Sequence, residues 1–192
     1  MFKKTLSALA VACVMLVSAA AAGTIFPAEY TDIDGVTRAG YLDEDGMTVL
    51  PFAYAQAGDF ADCGLAAVEN DKWQTAVIDR TGHLVIDYTD APVSVDFSDN
   101  MVAYRYTDHS VYYTTAGQRV GSYPGAVGFF EDGLLLCKNA DTGLHSFVTQ
   151  SGTAAFDGAY RNAGSFSGGR TLVRTQDGDY QAIDTTGAVL YT

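Results

Sequence analysis

Residues 77–86, Val-Ile-Asp-Arg-Thr-Gly-His-Leu-Val-Ile, decide the fold of this chain. An apolar pair leads into an Asp-x-x-Gly tetrad, and a second apolar run follows the tetrad. An Asp side chain hydrogen-bonds to the backbone of a turn, and glycine adopts the positive φ that a tight hairpin requires. The stretch therefore predicts two short antiparallel strands joined by a turn that ends at Gly82.

The same hairpin recurs along the chain, because five glycines that close similar tetrads are spaced 36, 35, 35 and 35 residues apart. A set of Phe residues steps by 37, 33 and 36 residues, and an Asp lies 11 residues after each of them. We call each such set of equivalent residues a column. Columns whose spacings change in step along the chain identify a tandem repeat. The columns are Gly46, Gly82, Gly117, Gly152 and Gly187; Phe60, Phe97, Phe130 and Phe166; and Asp71, Asp108, Asp141 and Asp177.

Each unit is predicted to contain three short strands and two turns. The first strand lies between the Phe and Asp columns, the second carries the apolar pair before the tetrad, and the third follows the glycine. The units are rich in Gly, Thr, Tyr and Val and have no sustained apolar stripe of helical period. The fold class is therefore all-β, a tandem array of about 35-residue three-stranded β-meander repeats. The array is either an open curved stack or propeller-like.

The first strand of a unit also predicts how units pack. Residues 65–68 and 134–137 are apolar at every position, so both faces of these strands are apolar. A strand that is apolar on both faces is usually buried on both. Neighbouring units must therefore stack on each other, and a single unit is not expected to fold alone.

The N-terminus predicts export. Lys3 and Lys4 precede the apolar run 6–17, and small residues fill 18–22. This is the pattern of a secretory signal peptide, although an uncleaved anchor is an alternative. Lipidation at Cys13 is disfavoured because the apolar run continues past it. The predicted organisation is a signal peptide over 1–22, a lead-in over 23–36, and a repeat domain over 37–192, with a partial first unit and four fuller ones. The predicted location is secreted or in the cell envelope.

The net charge of the chain limits the classes of molecule that it is expected to bind. Without the two N-terminal lysines the chain keeps 11 − 2 = 9 Lys and Arg against 23 Asp and Glu, a net charge of −14. Such a surface repels nucleic acid and anionic membranes. No segment after the signal peptide is apolar enough to span a membrane. Export would permit a disulfide between Cys63 and Cys137, but two separate small buried residues are the favoured interpretation.

The repeat resembles the WG-repeat (KWG) family of bacterial proteins. Residues 60–68, Lys72-Trp73 and 77–82 match its first and second strands, and 40–46 matches the latter half of a unit. The resemblance extends over 37–192, but the chain has one tryptophan and Gln74 stands where the family has glycine. It implies a repeat scaffold that is commonly exported or surface-associated and has no established catalytic residues.

The chain lacks a recognisable catalytic or metal-binding motif. Its histidines fall at unrelated positions of three units, and no H-E-x-x-H, G-x-S-x-G, P-loop or C-x-x-C occurs. The acidic tetrads 32–35 and 43–46 could suggest calcium, but the remaining ligands of a calcium loop are missing and turn chemistry is favoured. We therefore predict no catalytic residues, no metal site and no cofactor.

An excess of tyrosine marks the third unit. Exposed tyrosines supply rigid contact area for a glycan or protein partner, whereas alternate members would lie in the core. The predicted function is a non-enzymatic exported module that binds or scaffolds an unidentified protein or glycan. The alternatives are an envelope enzyme with an unrecognised carboxylate site and a structural spacer without a specific ligand. The candidate binding residues are Tyr104, Tyr106, Tyr112 and Tyr113.

Overall fold

The computed structural model describes residues 23–98 and 100–192, which form five antiparallel sheets in chain order. The predicted signal peptide lies outside the described residues. The first sheet contains β1 (Ile25–Thr31), β2 (Thr37–Asp43) and β3 (Thr48–Tyr54). The second contains β4 (Gln56–Ala57), β5 (Leu65–Glu69), β6 (Gln74–Asp79) and β7 (Leu84–Asp90). The third contains β8 (Ser94–Phe97), β9 (Met101–Arg105), β10 (His109–Thr114) and β11 (Arg119–Pro124). The fourth contains β12 (Ala126–Glu131), β13 (Leu134–Lys138) and β14 (His145–Thr149). The fifth contains β15 (Asn162–Ala163), β16 (Arg170–Arg174), β17 (Tyr180–Asp184) and β18 (Val189–Tyr191).

Within each sheet every strand pairs with its neighbour in sequence, so each sheet is a meander. This confirms the predicted all-β repeat array. Three sheets carry a fourth, mostly short strand that the sequence did not indicate. The fourth sheet lacks a regular third strand after Gly152, and isolated bridges at Ala154 and Tyr160 take its place. Residues 25–31 lie in the predicted lead-in, but they form β1 and pair with β2 along its whole length.

The hairpin turns have the geometry that their sequence predicts. Asp79 accepts hydrogen bonds at its side-chain Oδ1 from the backbone N–H of Thr81 (2.8 Å) and of His83 (3.1 Å). The N–H of Gly82 donates to the carbonyl oxygen of Asp79 at 2.9 Å. All five tetrad glycines have a φ between 77° and 83°, which is the left-handed region. The repeat is thus set locally by the same turn five times.

The sheets stack face to face, and the middle strands show this most directly. On β13, Leu134 and Leu136 pack in a cluster with the fifth sheet, whereas Leu135 and Cys137 pack in a cluster with the third. The strand is therefore buried on both faces, as its apolar sequence predicts. Four such clusters join consecutive sheets, and they contain Tyr41 with Ile78, Val77 with Tyr104, Tyr112 with Leu135, and Phe147 with Ile183.

The tetrad turns also hold neighbouring sheets together. A Cβ built on Gly82 would lie 3.1 Å from Leu50 of β3, and one on Gly117 would lie 2.0 Å from the carbonyl oxygen of Val85 of β7. Tyr123 of β11 donates its hydroxyl to the carbonyl oxygen of Gln150, in the tetrad turn of the fourth sheet, at 2.5 Å. The turns at Gly82, Gly117, Gly152 and Gly187 therefore each rest on the preceding unit, which fixes how successive units are aligned.

The array is open in the described part of the chain, since none of its four buried clusters combines the first sheet with the fifth. Phe26 and Tyr30 remain exposed on the outer face of the first sheet. Leu172, Tyr180 and Tyr191 remain exposed on the fifth. Each internal sheet has two neighbours, whereas each end sheet has one.

Candidate functional site

A groove of about 610 Å³ lies between the third and fourth sheets. We call it the central groove. Its polar lining comes from two turn residues, Asp108 and Asp141, and from residues on β11, β13 and β14. Its apolar floor is formed by Tyr123, Cys137 and Val148. The further polar residues that line the groove are Ser122, Lys138, Asn139 and Ser146.

Gly125, in the lining of the central groove, brings the third and fourth sheets together. Its carbonyl oxygen accepts a hydrogen bond from the N–H of Lys138 at 2.8 Å, and its φ is 63°. A Cβ at this position would lie 2.0 Å from the carbonyl oxygen of Lys138, so only glycine fits. The chain thus passes from β11 to β12 directly alongside β13.

Carboxylates dominate the rim of the groove. The Asp108 side chain is 86% exposed, and its Oδ1 lies 2.7 Å from Nδ1 of His109. This hydrogen bond lowers the pKa of the Asp108 carboxyl, which is ionised at neutral pH. Asp141 stands in a turn in which its backbone N–H donates to Oδ1 of Asn139 at 3.0 Å. With Lys138 as the one lysine or arginine of the lining, the rim suits a ligand that carries positive charge.

The thiol in the floor of the groove is not activated. Burial raises the pKa of Cys137 to about 11, so the group is a neutral thiol at physiological pH. A nucleophilic cysteine needs the opposite shift. Cys63 is half-buried in the second sheet, and both cysteines are free thiols, as the interpretation of two separate small residues predicts.

The four candidate tyrosines divide into two kinds. Tyr104 and Tyr112 have no exposed surface, so in this structure neither ring is available to a ligand. Tyr104 packs in the cluster between the second and third sheets, and Tyr112 packs in the next cluster. Tyr106 and Tyr113 are half-buried, and Tyr106 stacks on His109 with ring centroids 4.8 Å apart. A binding role for Tyr106 and Tyr113 stays a prediction.

Arg105 forms a polar clamp that the sequence did not reveal. Its guanidinium lies 2.7 Å from Asp96, donates to the hydroxyl of Tyr112 at 2.6 Å, and donates to the carbonyl oxygen of Gly128 at 2.7 Å. The side chain is 16% exposed and lies over the rings of Tyr112 and Phe129. Every contact is within the protein, so Arg105 joins the third and fourth sheets. In the sequence it was one arginine at a strand end, without a distinguishing motif.

The three histidines lie in three different sheets. His83 follows a tetrad turn of the second sheet, His109 begins β10, and His145 begins β14. Over residues 23–98 and 100–192, no three His, Cys, Asp or Glu side chains are grouped as metal ligands. In the same residues no helix has the length and apolar character needed to cross a membrane.

One segment of the repeat array matches the model of a known family. Residues 40–73 match the family model described as the WG containing repeat. The match supports a WG-repeat family. The matched WG unit runs from Gly40 on β2 to Trp73 in the turn after β5, so it begins in the first sheet and ends in the second.

Other comparisons concern the whole array. No curated protein matches the chain. Kluyveromyces lactis Hsv2 is 12% identical, with 84% of this chain and 60% of that chain covered, and a TM-score of 0.44. BamB from Moraxella catarrhalis is 13% identical, with 88% and 60% covered and a TM-score of 0.42. The WD40 beta propeller domain of Doa1 is 14% identical, with 87% and 66% covered and a TM-score of 0.37. The chain spans 60% of the length of the first two of these structures.

Proposed function

We propose that this chain is a non-enzymatic, exported binding module whose central groove holds an extended, basic segment of a protein partner. The single observation that carries the proposal is the groove of about 610 Å³ with Asp108 and Asp141 on its rim. Its volume falls within the range of about 300–1,000 Å³ that is usual for ligand pockets. The position outside the cytoplasm rests on the N-terminal residues 1–22.

The lining favours a peptide over a glycan. A sugar ring is usually held on an exposed aromatic face, but Tyr123 in the floor is only 4% exposed. An extended peptide instead needs hydrogen-bonding groups along the edges of a cleft and a charge that matches the rim. Ser122, Ser146 and Asn139 supply such groups, and the two carboxylates supply the charge.

A catalytic role for the groove has little support from its chemistry. Cys137 is a protonated thiol, and His109 is paired with Asp108 at the rim rather than with a nucleophile. The recurring carboxylates stand at equivalent turns of successive sheets, and only two of the four, Asp108 and Asp141, line the groove. These features favour the binding module over an envelope enzyme.

The experiment is a titration with three labelled probes, followed by fluorescence anisotropy. The probes are an alternating Ser-Lys peptide, an alternating Ser-Glu peptide of equal length, and a chitin oligosaccharide. We expect saturable binding of the Ser-Lys peptide alone, weakening as salt is added. Binding of the oligosaccharide in its place, or of neither peptide, would contradict the proposal.

Matched variants locate the binding. The double variant Asp108→Asn with Asp141→Asn removes the rim charge and should weaken Ser-Lys binding by about tenfold, equivalent to roughly 1.4 kcal/mol. The control, Asp71→Asn with Asp177→Asn, removes two carboxylates of the same repeat column from sheets that do not line the groove. If the control weakened binding equally, the probe would be attracted by net charge and the groove would not be the site.

A further inference from the structure

The two end sheets carry most of the exposed large apolar side chains. Of the 15 such residues in the described part of the chain, six lie in 23–54 and five lie in 161–192. In the internal sheets the same faces are covered by a neighbour. The end faces are thus halves of an interface that the molecule already makes four times.

The face of the first sheet is defined by its register. Pro27 pairs with Tyr41, whose ring is fully buried against the second sheet. Successive side chains of a strand point to opposite faces, so Phe26 and Tyr30 face away from the stack. Phe26 is 39% exposed and Tyr30 is 58% exposed. We call this surface the N-terminal face.

The opposite surface lies on the fifth sheet. Val173 and Ile183 are buried against the fourth sheet, so Leu172 and Ala182 point outward. Leu172 pairs with Ala182, and Ala182 pairs with Tyr191, which places the three side chains in one row across the sheet. Leu172 is 66% exposed and Tyr191 is 69% exposed. We call this surface the C-terminal face.

The two faces correspond to the two sides of every internal interface. Leu136 on β13 is equivalent to Leu172, because they occupy the same position relative to the following tetrad, and Leu136 is buried against the next sheet. Val102 on β9 is equivalent to Phe26 in the same way, and Val102 is buried against the preceding sheet. Side chains of the N-terminal face therefore occupy the positions that meet a C-terminal face elsewhere in the stack.

The two end sheets also lack a second contact, between a tetrad turn and the neighbouring unit, that every internal interface makes. The turns at Gly82, Gly117, Gly152 and Gly187 each have an atom of the preceding unit within 4 Å of a built Cβ. Gly46, which has the same φ, has nothing within 4 Å. At the other end the last strand, 189–191, is exposed along its length and has no turn resting on it. The turn at Gly46 and this strand are complementary parts of the same contact.

Charge favours the same pairing. Residues 23–54 contain six Asp and Glu against one Arg, whereas 161–192 contain three of each sign. Arg170 and Arg174 flank Leu172 at the two ends of β16. In the stack, matching turns of neighbouring sheets meet, as in the hydrogen bond from the N–H of Gly169 to Asp132 at 2.7 Å. In the same register the acidic turns of a first sheet would lie near these arginines.

We propose that the C-terminal face binds the N-terminal face of a second copy of this chain, so that the stack continues from one molecule to the next. The contact is head to tail, with Leu172, Ala182 and Tyr191 of one molecule against Phe26 and Tyr30 of the other. The turn at Gly46 of the second copy then rests on β18 of the first. Because this interface joins two different surfaces, each molecule keeps one free face, and the assembly can grow.

Sedimentation velocity of the chain, exported and purified from a bacterial host, tests the proposal over a range of concentrations. We expect an average mass that rises with concentration. Leu172→Glu on one face and Tyr30→Arg on the other should each weaken self-association by at least about tenfold, since the glutamate would face the acidic first sheet and the arginine would face Arg170 and Arg174. Both side chains are largely exposed, and an unchanged circular dichroism spectrum will show that each variant is folded.

Mixing the two variants separates a head-to-tail contact from other arrangements. The Leu172→Glu protein keeps an intact N-terminal face and the Tyr30→Arg protein keeps an intact C-terminal face. Their mixture should form a 1:1 dimer that grows no further. A mixture that stays monomeric would overturn the proposal. So would a wild-type protein that is monomeric at all concentrations, or one whose assembly neither variant affects.

Discussion

Gly117 and Val85 are in such close contact that a Cβ on the glycine would lie 2.0 Å from the valine carbonyl oxygen. Gly117 closes a tetrad turn of the third sheet, and Val85 lies on β7 of the second sheet. The glycine therefore serves two purposes, since its φ of 82° closes the turn and its missing side chain lets the turn rest on the neighbouring sheet. The same residue therefore determines both the conformation of the turn and the packing between the second and third sheets.

Gly117→Ala tests this double role against Gly46→Ala. Both glycines have a positive φ, so each substitution should cost about 1–2 kcal/mol of backbone strain. Only Gly117→Ala also forces the third sheet away from the second, which should add about 1–3 kcal/mol. The free energies of unfolding are measured in urea. Equal losses for the two variants would mean that the close approach to Val85 has no energetic weight.

The sequence alone was sufficient to predict the structural features that recur from unit to unit. The tetrads predicted all five turns because Asp and Gly act within a few residues, and the apolar run 134–137 predicted burial on both faces. The central groove could not be predicted in this way. Its shape depends on the spacing between β11 and β13, which the close passage at Gly125 determines. The positions of Tyr104 and Tyr112 likewise depend on strand register, which composition does not give.

Arg105 should be worth far more to stability than Arg38. Arg105→Ala removes the hydrogen bonds that this side chain, which is 16% exposed, makes to Asp96 and to the hydroxyl of Tyr112, and a loss of about 1.5–3 kcal/mol is expected. Arg38 pairs with Asp71 at 2.5 Å, but at 34% and 66% exposure, so Arg38→Ala should cost no more than about 1 kcal/mol. Urea unfolding of both variants makes the comparison, and similar losses would contradict the role of the clamp.

Two buried tyrosines should respond oppositely to loss of the hydroxyl. The hydroxyl of Tyr104 is buried and has no hydrogen-bond partner within the protein, so Tyr104→Phe should be neutral or stabilising by up to about 2 kcal/mol. The hydroxyl of Tyr112 contacts Arg105 and donates to the carbonyl oxygen of Gly128, so Tyr112→Phe should destabilise by about 1–3 kcal/mol. Thermal unfolding measures both. A destabilised Tyr104→Phe would show that this hydroxyl has a partner in solution.

Trp73 occupies a position that suits glycine. Its φ is 60°, its side chain is 66% exposed, and its N–H donates to the carbonyl oxygen of Asn70 at 3.0 Å. Gly178 makes the same contact with Thr175 in the fifth sheet. Trp73→Gly relieves strain of about 1–2 kcal/mol, offset in part by about 0.5–1 kcal/mol of chain entropy.

A net gain of up to about 1.5 kcal/mol is therefore expected for Trp73→Gly, with a loss of similar size for Gly178→Ala. Differential scanning calorimetry would register the two shifts in opposite directions. A lower melting temperature for Trp73→Gly would show that the indole ring contributes contacts beyond its own turn.

The Cys137 thiol should make stability depend on pH in the alkaline range. Burial raises its pKa in the folded protein from 9.0 to about 11. Below pH 9 the thiol is neutral in the folded and in the unfolded protein, and its contribution to the free energy of unfolding is fully present. Between pH 9 and about 11 the unfolded chain loses the proton first, so this contribution falls as the pH rises, by a total on the order of 3 kcal/mol.

Urea unfolding of the wild type and of Cys137→Ala, measured at both ends of this pH range, isolates the effect. Tyrosine ionisation is common to both proteins and cancels in the comparison, while the cavity left by the variant lowers its stability equally at every pH. The fall in stability with pH should be smaller in Cys137→Ala than in the wild type, and Cys63→Ala controls for the loss of a thiol outside the groove. If Cys137→Ala and the wild type lost stability in parallel, water would reach the floor of the central groove, and the thiol there would ionise as freely as in the unfolded chain.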